Sequence, residues 1–331
     1  MELLYATGHN AWNQLQLKAA DPNHTNQQEQ QQEEQTEEPD DISKFTCILH
    51  TDDKVISIRS FPSYTAVYTT TNTTSSPLIA GLLPQTHQIL LETNPQIYRH
   101  FAEASNDTII IPSSSNTHLE QHQSLTSFLL NSHSGGTPLN TLENISQLLP
   151  YETGFIALSR SKEVYTWGDE RYSSCLAREV DDNSSPASLP GLVPDLLDLP
   201  TGPITKIAAG GYTLAALTAG NDLYLWGDAG RTPALSELNL SDCPEPVIIG
   251  DDEGKDIADV AVGHFHIIVL TTDGEVYVIG DNSIGQLGIP GVDSVKTWTR
   301  VSIDFGEQQG ALSIRGVEAG PRTSFLILSE S

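Results

Sequence analysis

The stretch 257–288 (IADVAVGHFHIIVLTTDGEVYVIGDNSIGQLG) sets two apolar runs on either side of a Thr-Thr-Asp-Gly turn and ends in a loop rich in Gly and Asn. Short apolar runs bounded by turn residues and rich in Val and Ile predict β-strands. The stretch 204–230 (ITKIAAGGYTLAALTAGNDLYLWGDAG) keeps the same order: a β-branched residue, Ala-x-Gly, an apolar strand, Thr, a turn, then Leu-Tyr-x-Trp-Gly-Asp. The pattern is a repeat. Gly210, Gly263 and Gly320 mark it at intervals of 53 and 57 residues, and the glycines closing each Tyr-x-x-Gly strand, Gly168, Gly227 and Gly280, mark it at 59 and 53. A further unit runs through 151–169 (YETGFIALSRSKEVYTWGD). Several strands per unit at periods of about 40 to 50 residues or more predict the blades of a β-propeller.

The last unit, RGVEAGPRTSFLILSES, stops after its first half, and the matching second half stands at the other end of the sequence. The run 4–15 (LYATGHNAWNQL) matches 276–287 (VYVIGDNSIGQL) position for position, with Gly8 against Gly280. Residues 3–8 are therefore expected to pair with residues 317–328, so that one blade is shared between the chain ends and the ring has no open sheet edge. The expected fold is all-β: a single propeller over 1–331 with six four-stranded blades. There is room for a seventh in the degenerate segment 70–136, where Ser, Thr and Asn are dense and long loops join weak strands. Only ISIRSFPSYTAVYT and IYRHFAEASNDTIIIP suggest first halves of units in the early part of the chain.

The Gly-x-Asn-x-apolar-Gly-Gln-Leu-Gly loop, together with the Ala-x-Gly strand, resembles the regulator of chromosome condensation repeat family, clearly over 142–328 and 3–17. The resemblance implies a propeller and a role in binding proteins. The six-unit layout resembles the small single-domain members found with a Jumonji-type demethylase at chromatin. The length resembles the fungal α-tubulin suppressor type, which pairs with a small zinc protein serving tRNA and diphthamide modification. Both imply a non-enzymatic adaptor. The family's founding member implies an alternative, guanine nucleotide exchange on a small GTPase, which works by differential binding and needs no covalent chemistry.

Charge narrows these roles. The chain has 43 acidic and 16 basic residues, a formal net charge of −27, the opposite of the basic stripe that phosphate-backbone binding requires. Direct nucleic-acid binding is excluded on this reading. The segment 24–41, with its tract NQQEQQQEEQTEEPDD, lacks apolar residues and is expected to be a disordered loop insertion. Cys47, Cys175 and Cys243 form no Cys-x-x-Cys pair, so buried free thiols in a reducing compartment, cytoplasm or nucleus, are expected. No apolar run approaches the roughly 18 residues of a membrane helix, and no basic region precedes an apolar stretch at the start. On this reading the Asn-x-Ser/Thr triplets stay unmodified, and the chain by itself is a monomer.

Catalytic patterns are missing. GDDEGK at 250–255 has one residue too few between its glycines for a phosphate-binding loop and carries acidic residues where phosphate would sit. No Gly-x-Ser-x-Gly elbow occurs, and no cofactor or metal set is apparent. His264 and His266 lie two apart on a predicted strand, a spacing that could hold a metal, but no third ligand follows them. His266 stands where the family usually has a histidine, and a satisfied structural hydrogen bond is the expected role. Trp167 and Trp226 precede strand-closing glycines and are expected to pack between blades. Basic residues are scarce enough for their positions to be informative. The candidate partner-binding residues are Trp12, Arg171, Tyr172, Arg231, Trp298 and Arg322, mostly in loops after blade strands, where a rigid scaffold fixes binding groups. Together they are expected to form a positive aromatic rim that takes an acidic protein segment.

Overall fold

The computed structural model describes residues 1–17, 39–71, 76–112, 118–130, 135–142, 144–250, 254–305 and 312–330. Six antiparallel sheets follow one another around a ring. Blade 1 joins the two ends of the chain, its strands ordered Leu312–Gly320, Thr323–Glu330, Glu2–Gly8 and Ile42–Thr51 from the inside outward. Blades 2 to 6 begin with the inner strands Val55–Ser60, Ala102–Glu103, Ile145–Tyr151, Ile204–Gly210 and Ile257–Val262. Five blades have four strands and blade 2 has three, where four were expected throughout. After its third strand, Leu78–Gly81, the chain passes through Pro84 into helices Gln85–Thr93 and Pro95–His100. These helices, with Leu125–Leu130, occupy the segment where a seventh blade had room.

The second strand of each blade explains the continuous apolar runs. Thr213–Thr218 and His266–Thr271 are buried along their whole length because both faces of the sheet are covered by neighbouring blades. Successive residues turn to opposite neighbours: Ile267 and Val269 pack with Leu217 and Leu223 of blade 5, whereas Ile268 and Leu270 pack with Val317 and Leu326 of blade 1. The described residues form six apolar clusters, one at each blade junction, including 6 to 1 and 1 to 2. Each fully buried Leu, Ile, Val or Phe in them contributes about 1.5–3 kcal/mol. Trp167 and Trp226 lie in two of these junctions, and Trp226 also donates its indole N–H to the Cys175 carbonyl of blade 4.

The shared blade is closed as the repeat requires. Glu2 to Gly8 pair one for one with Ser329 to Thr323, and residues 317–320 belong to the adjacent strand, which pairs with the same partner from its other side. The match between 4–15 and 276–287 extends to hydrogen bonds. Asn10 Oδ1 accepts from the Leu15 amide as Asn282 Oδ1 does from Leu287, and Gln14 Oε1 accepts from Trp12 N as Gln286 Oε1 does from Ile284 N. The expected disorder of 24–41 falls outside the described residues up to residue 38. Beyond it, Asp41 accepts from the Asn10 amide at 2.8 Å.

Inner strands are sheet edges, and their outward amides need partners. Side chains of the preceding blade supply them. Gln147 accepts from Ile207 N, Asp259 from Val317 N, and Glu2 from Val55 N. Lys206 stands where Gln147 and Asp259 stand in their own blades and cannot accept, so it pairs instead with Asp259 at 2.5 Å.

His266 is fully buried and donates Nε2–H to Ser324 Oγ at 2.9 Å, while that hydroxyl donates to the Gln286 carbonyl. The bond joins blade 6 to blade 1. Burial pulls the imidazole pKa down to about 4. The unfolded chain takes up this proton near pH 6.5 and the folded chain only near 4, so the stability is complete above pH 6.5 and falls as pH drops through that window. Relative to a His266→Asn variant, the protein is expected to lose on the order of 3 kcal/mol between pH 7 and 4 in urea unfolding; parallel pH profiles for the two would refute the assignment.

Gly8 tests the closure. It has φ of +110°, and a Cβ there would lie 2.3 Å from the Arg322 carbonyl oxygen. Gly8→Val is expected to lower the unfolding free energy by roughly 3 kcal/mol or more in urea titration, and an unchanged midpoint would show that the chain ends do not close the ring.

Candidate functional site

In every blade except the third, the glycine closing the third strand packs against the turn joining the first two. Gly8 meets Arg322 and Thr323, Gly227 meets Tyr212, Gly280 meets Phe265, and Gly81 meets Ser63. Gly168 differs from Gly8, Gly227 and Gly280, which have positive φ. Its backbone is outside the left-handed region, and glycine is needed there because a Cβ would strike the Thr153 carbonyl and the Tyr151 hydroxyl. The turns also touch around the ring: Glu152 N donates to Gly211 O, His264 N to Pro321 O, and Ser60 Oγ bonds Thr323 Oγ1. Turns and third-strand loops therefore share one face.

Three of the expected residues come together on it. Tyr172 lies on the loop after the third strand of blade 4, its ring 4.9 Å from that of Tyr212 on the turn of blade 5. Arg231 places its guanidinium 5.3 Å from the Tyr172 centroid and 5.7 Å from that of Tyr212. Arg171 lies 5.9 Å from the Tyr172 ring. Geometry of this kind holds a cation on the negative faces of the rings. Burial first, then a hydrogen bond with Tyr172, pushes the Tyr212 hydroxyl up to about 12, so the Tyr212 ring stays neutral.

The two arginines differ in what occupies them. Arg171 grips Asp169 through Nε and Nη2, at 2.6 Å for the shortest contact, and these bonds hold the Asp169 carboxyl below its usual range. No carboxylate of the described residues lies within 4 Å of Arg231 or Arg322. Arg322, exposed on the turn of blade 1, acts on His264 of the neighbouring turn. Burial chiefly lowers the pKa of His264, with Glu152 opposing and Arg322 adding to the effect.

The remaining candidates separate. Trp12 is 50 % exposed in the loop after Gly8, on the same face. Trp298 sits on the outer strand Ser294–Arg300, half-buried, packed with Leu238 and Leu240 at the junction of blades 5 and 6. Of the cysteines expected to be buried, Cys175 is buried and Cys47 and Cys243 are exposed. Tyr212 was not among the candidates. The signal was its place one residue before the second strand, where Phe265 and Arg322 also stand.

Two buried arrays have the form of a catalytic relay. His266 with Ser324 is one. In the other, Tyr98 donates to Tyr64, Tyr64 meets His87 Nδ1 at 2.8 Å, and His87 Nε2 meets Glu103 at 2.9 Å. The hydroxyls of both are sealed in blade junctions. The central channel holds a cavity of about 320 Å³ between the inner strands, where Lys206 is engaged with Asp259 and lies 3.9 Å from Glu318. No group of three or more His, Cys, Asp or Glu side chains among the described residues is arranged to hold a metal, and no helix among them is long and apolar enough to cross a membrane.

The ring is a six-bladed β-propeller whose exposed chemistry gathers on one loop face. Residues 257–286 match the family model described as the regulator of chromosome condensation (RCC1) repeat. The human E3 ubiquitin-protein ligase HERC2 is 30 % identical over 171 residues, 51 % of this chain and 3 % of that protein. A mouse RCC1-like G exchanging factor-like protein is 29 % identical over 150 residues, 44 % of this chain and 31 % of that one. The chain thus spans under a third of these relatives. Among solved structures, yeast RCC1 (Prp20) bound to Kap60 superposes with a TM-score of 0.65 at 13 % identity, covering 100 % of this chain and 89 % of that one. One segment of the chain thus matches the RCC1 repeat, and the ring shares the propeller fold of yeast RCC1.

Exposed arginines on the loop face are expected to be dispensable for folding. Arg231→Ala and Arg322→Ala should each change the unfolding free energy by less than about 1 kcal/mol. A loss of several kcal/mol in either would make that residue part of the scaffold.

Proposed function

We propose that this protein is a non-enzymatic adaptor or regulatory subunit that binds a protein partner through the loop face of its propeller. The observation that supports this reading most is the Tyr172–Tyr212–Arg231 cluster: half-buried aromatic rings beside an exposed arginine, held on a rigid scaffold, are the groups favoured as interface anchors. One protein of similar fold, yeast RCC1, is bound to a protein, Kap60, in its crystal structure. A Jumonji-type demethylase and a small zinc protein are the partners the sequence resemblance suggests, at chromatin in the nucleus or in RNA and diphthamide modification in the cytoplasm.

A second reading, exchange on a small GTPase, is favoured by the name of the mouse relative. It would use the same face and differ in what the bound protein does, since exchange requires tighter binding of the nucleotide-free GTPase.

Affinity capture of the tagged chain from its own cell lysate, beside a variant with Arg171, Arg231 and Arg322 changed to Ala, separates these readings. A stoichiometric non-GTPase protein lost in the variant is the expected result. A nucleotide-free GTPase would overturn the adaptor in favour of exchange, and equal capture by both chains would remove the loop face from either role.

A further inference from the structure

The loop face carries cations on a strongly acidic chain. Acidic residues outnumber basic ones by 43 to 16. Of the other cations, Lys206, Lys255, Arg300 and Arg315 each pair with a carboxylate, and Arg59 and Arg178 are bound by main-chain carbonyls. Among the described residues, Arg231 and Arg322 have neither a carboxylate nor a hydrogen-bonded acceptor for their guanidinium groups, although both are exposed. Each guanidinium has five N–H donors shaped to meet a carboxylate two at a time.

Arg231 is also held in place. Its contact with the faces of Tyr172 and Tyr212 restricts its rotamers before any ligand arrives, so a bound carboxylate would cost less side-chain entropy than at a free arginine. The same rings offer apolar area beside the cation, which suits a peptide more than a bare anion. Carboxylates border this area, Asp228 among them, whose Oδ1 accepts from the Gly230 amide at 3.0 Å. Asp169 is engaged by Arg171, and Glu152 accepts from Ser105 Oγ at 3.0 Å. Arg322 lies two turns further round the ring, past His264, so the two cations mark separate points along one path over blades 5, 6 and 1.

We propose that the loop face binds an extended acidic peptide segment of a partner protein, one carboxylate held by Arg231 beside Tyr172 and Tyr212 and a second by Arg322. This deepens the protein-binding reading and rests on it. With a net charge of −27, the molecule as a whole repels such a segment, so binding depends on these local contacts.

The test uses the full chain and a fluorescein-labelled peptide containing Glu and Phe, beside a twin with Gln for every Glu, followed by fluorescence anisotropy. Only the Glu peptide is expected to bind. Arg231→Gln and Arg322→Gln should each weaken it about tenfold, and Arg160→Gln, exposed on the turn between the second and third strands of blade 4, by less than about twofold. Failure of the Glu peptide to bind, equal binding of the twin, or an unchanged affinity in Arg231→Gln overturns the proposal. Full displacement by inorganic phosphate would reduce the site to a general anion site and overturn it as well. Partner capture from lysate that survives Arg231→Gln with Arg322→Gln, but is lost on Trp12→Ala, would sink this inference alone, and no capture by any chain would sink the binding reading beneath it.

Discussion

The pairing of Glu2–Gly8 with Thr323–Glu330 is the constraint on which the molecule depends. Every apolar cluster lies between two blades, so no blade buries its own faces alone. An open array would leave both faces of blade 1 incomplete, and with them the junctions to blades 2 and 6. Closure supplies the last partner for each. It also removes a free edge from a strand, Thr323–Glu330, that is buried from Thr323 to Leu328. Polar bonds reinforce the same seam: Glu2 accepts from Val55 N and pairs with Arg315, and Ser324 receives His266.

Rigidity of the ring fixes the loop face. Tyr172 and Tyr212 come from different blades, and their 4.9 Å separation is held by the junction beneath them, where Ile156, Leu214 and Trp226 pack. Arg231, from the next loop of blade 5, then finds both rings already in place. A surface assembled this way suits recognition, because binding groups stand at set distances without ordering on contact. The buried Ser324–His266 pair shows the converse: a chemically suggestive arrangement in a sealed junction works as a fastener between blades.

Much of this was legible in the sequence, and the physical reasons are particular. The run 4–15 could be aligned with 276–287 because the loop is built from side-chain-to-backbone bonds at Asn10 and Gln14, which fix residue types as well as pattern. Blade 2 was harder to read. Its neighbour interface uses Tyr64, His87, Tyr98 and Arg59 in place of Leu and Val, so the segment looks polar although its core is tight. The helices at Gln85–Thr93 and Pro95–His100 escaped notice for the same reason. At the site, scarcity of basic residues pointed to Arg171 and Arg231, but only the fold could show that one is paired with Asp169 and the other is not. Tyr212 joins them across a blade boundary, a distance in sequence that no local pattern spans.

Hydrogen exchange of the free protein, resolved to single amides, tests the closed ring most directly. If the ring closes as described, the amides of residues 3–7 and 324–328 exchange slowly, with one common opening free energy close to that of global unfolding. Rapid exchange of 3–7 beside protected 324–328 would show an open blade and contradict the account.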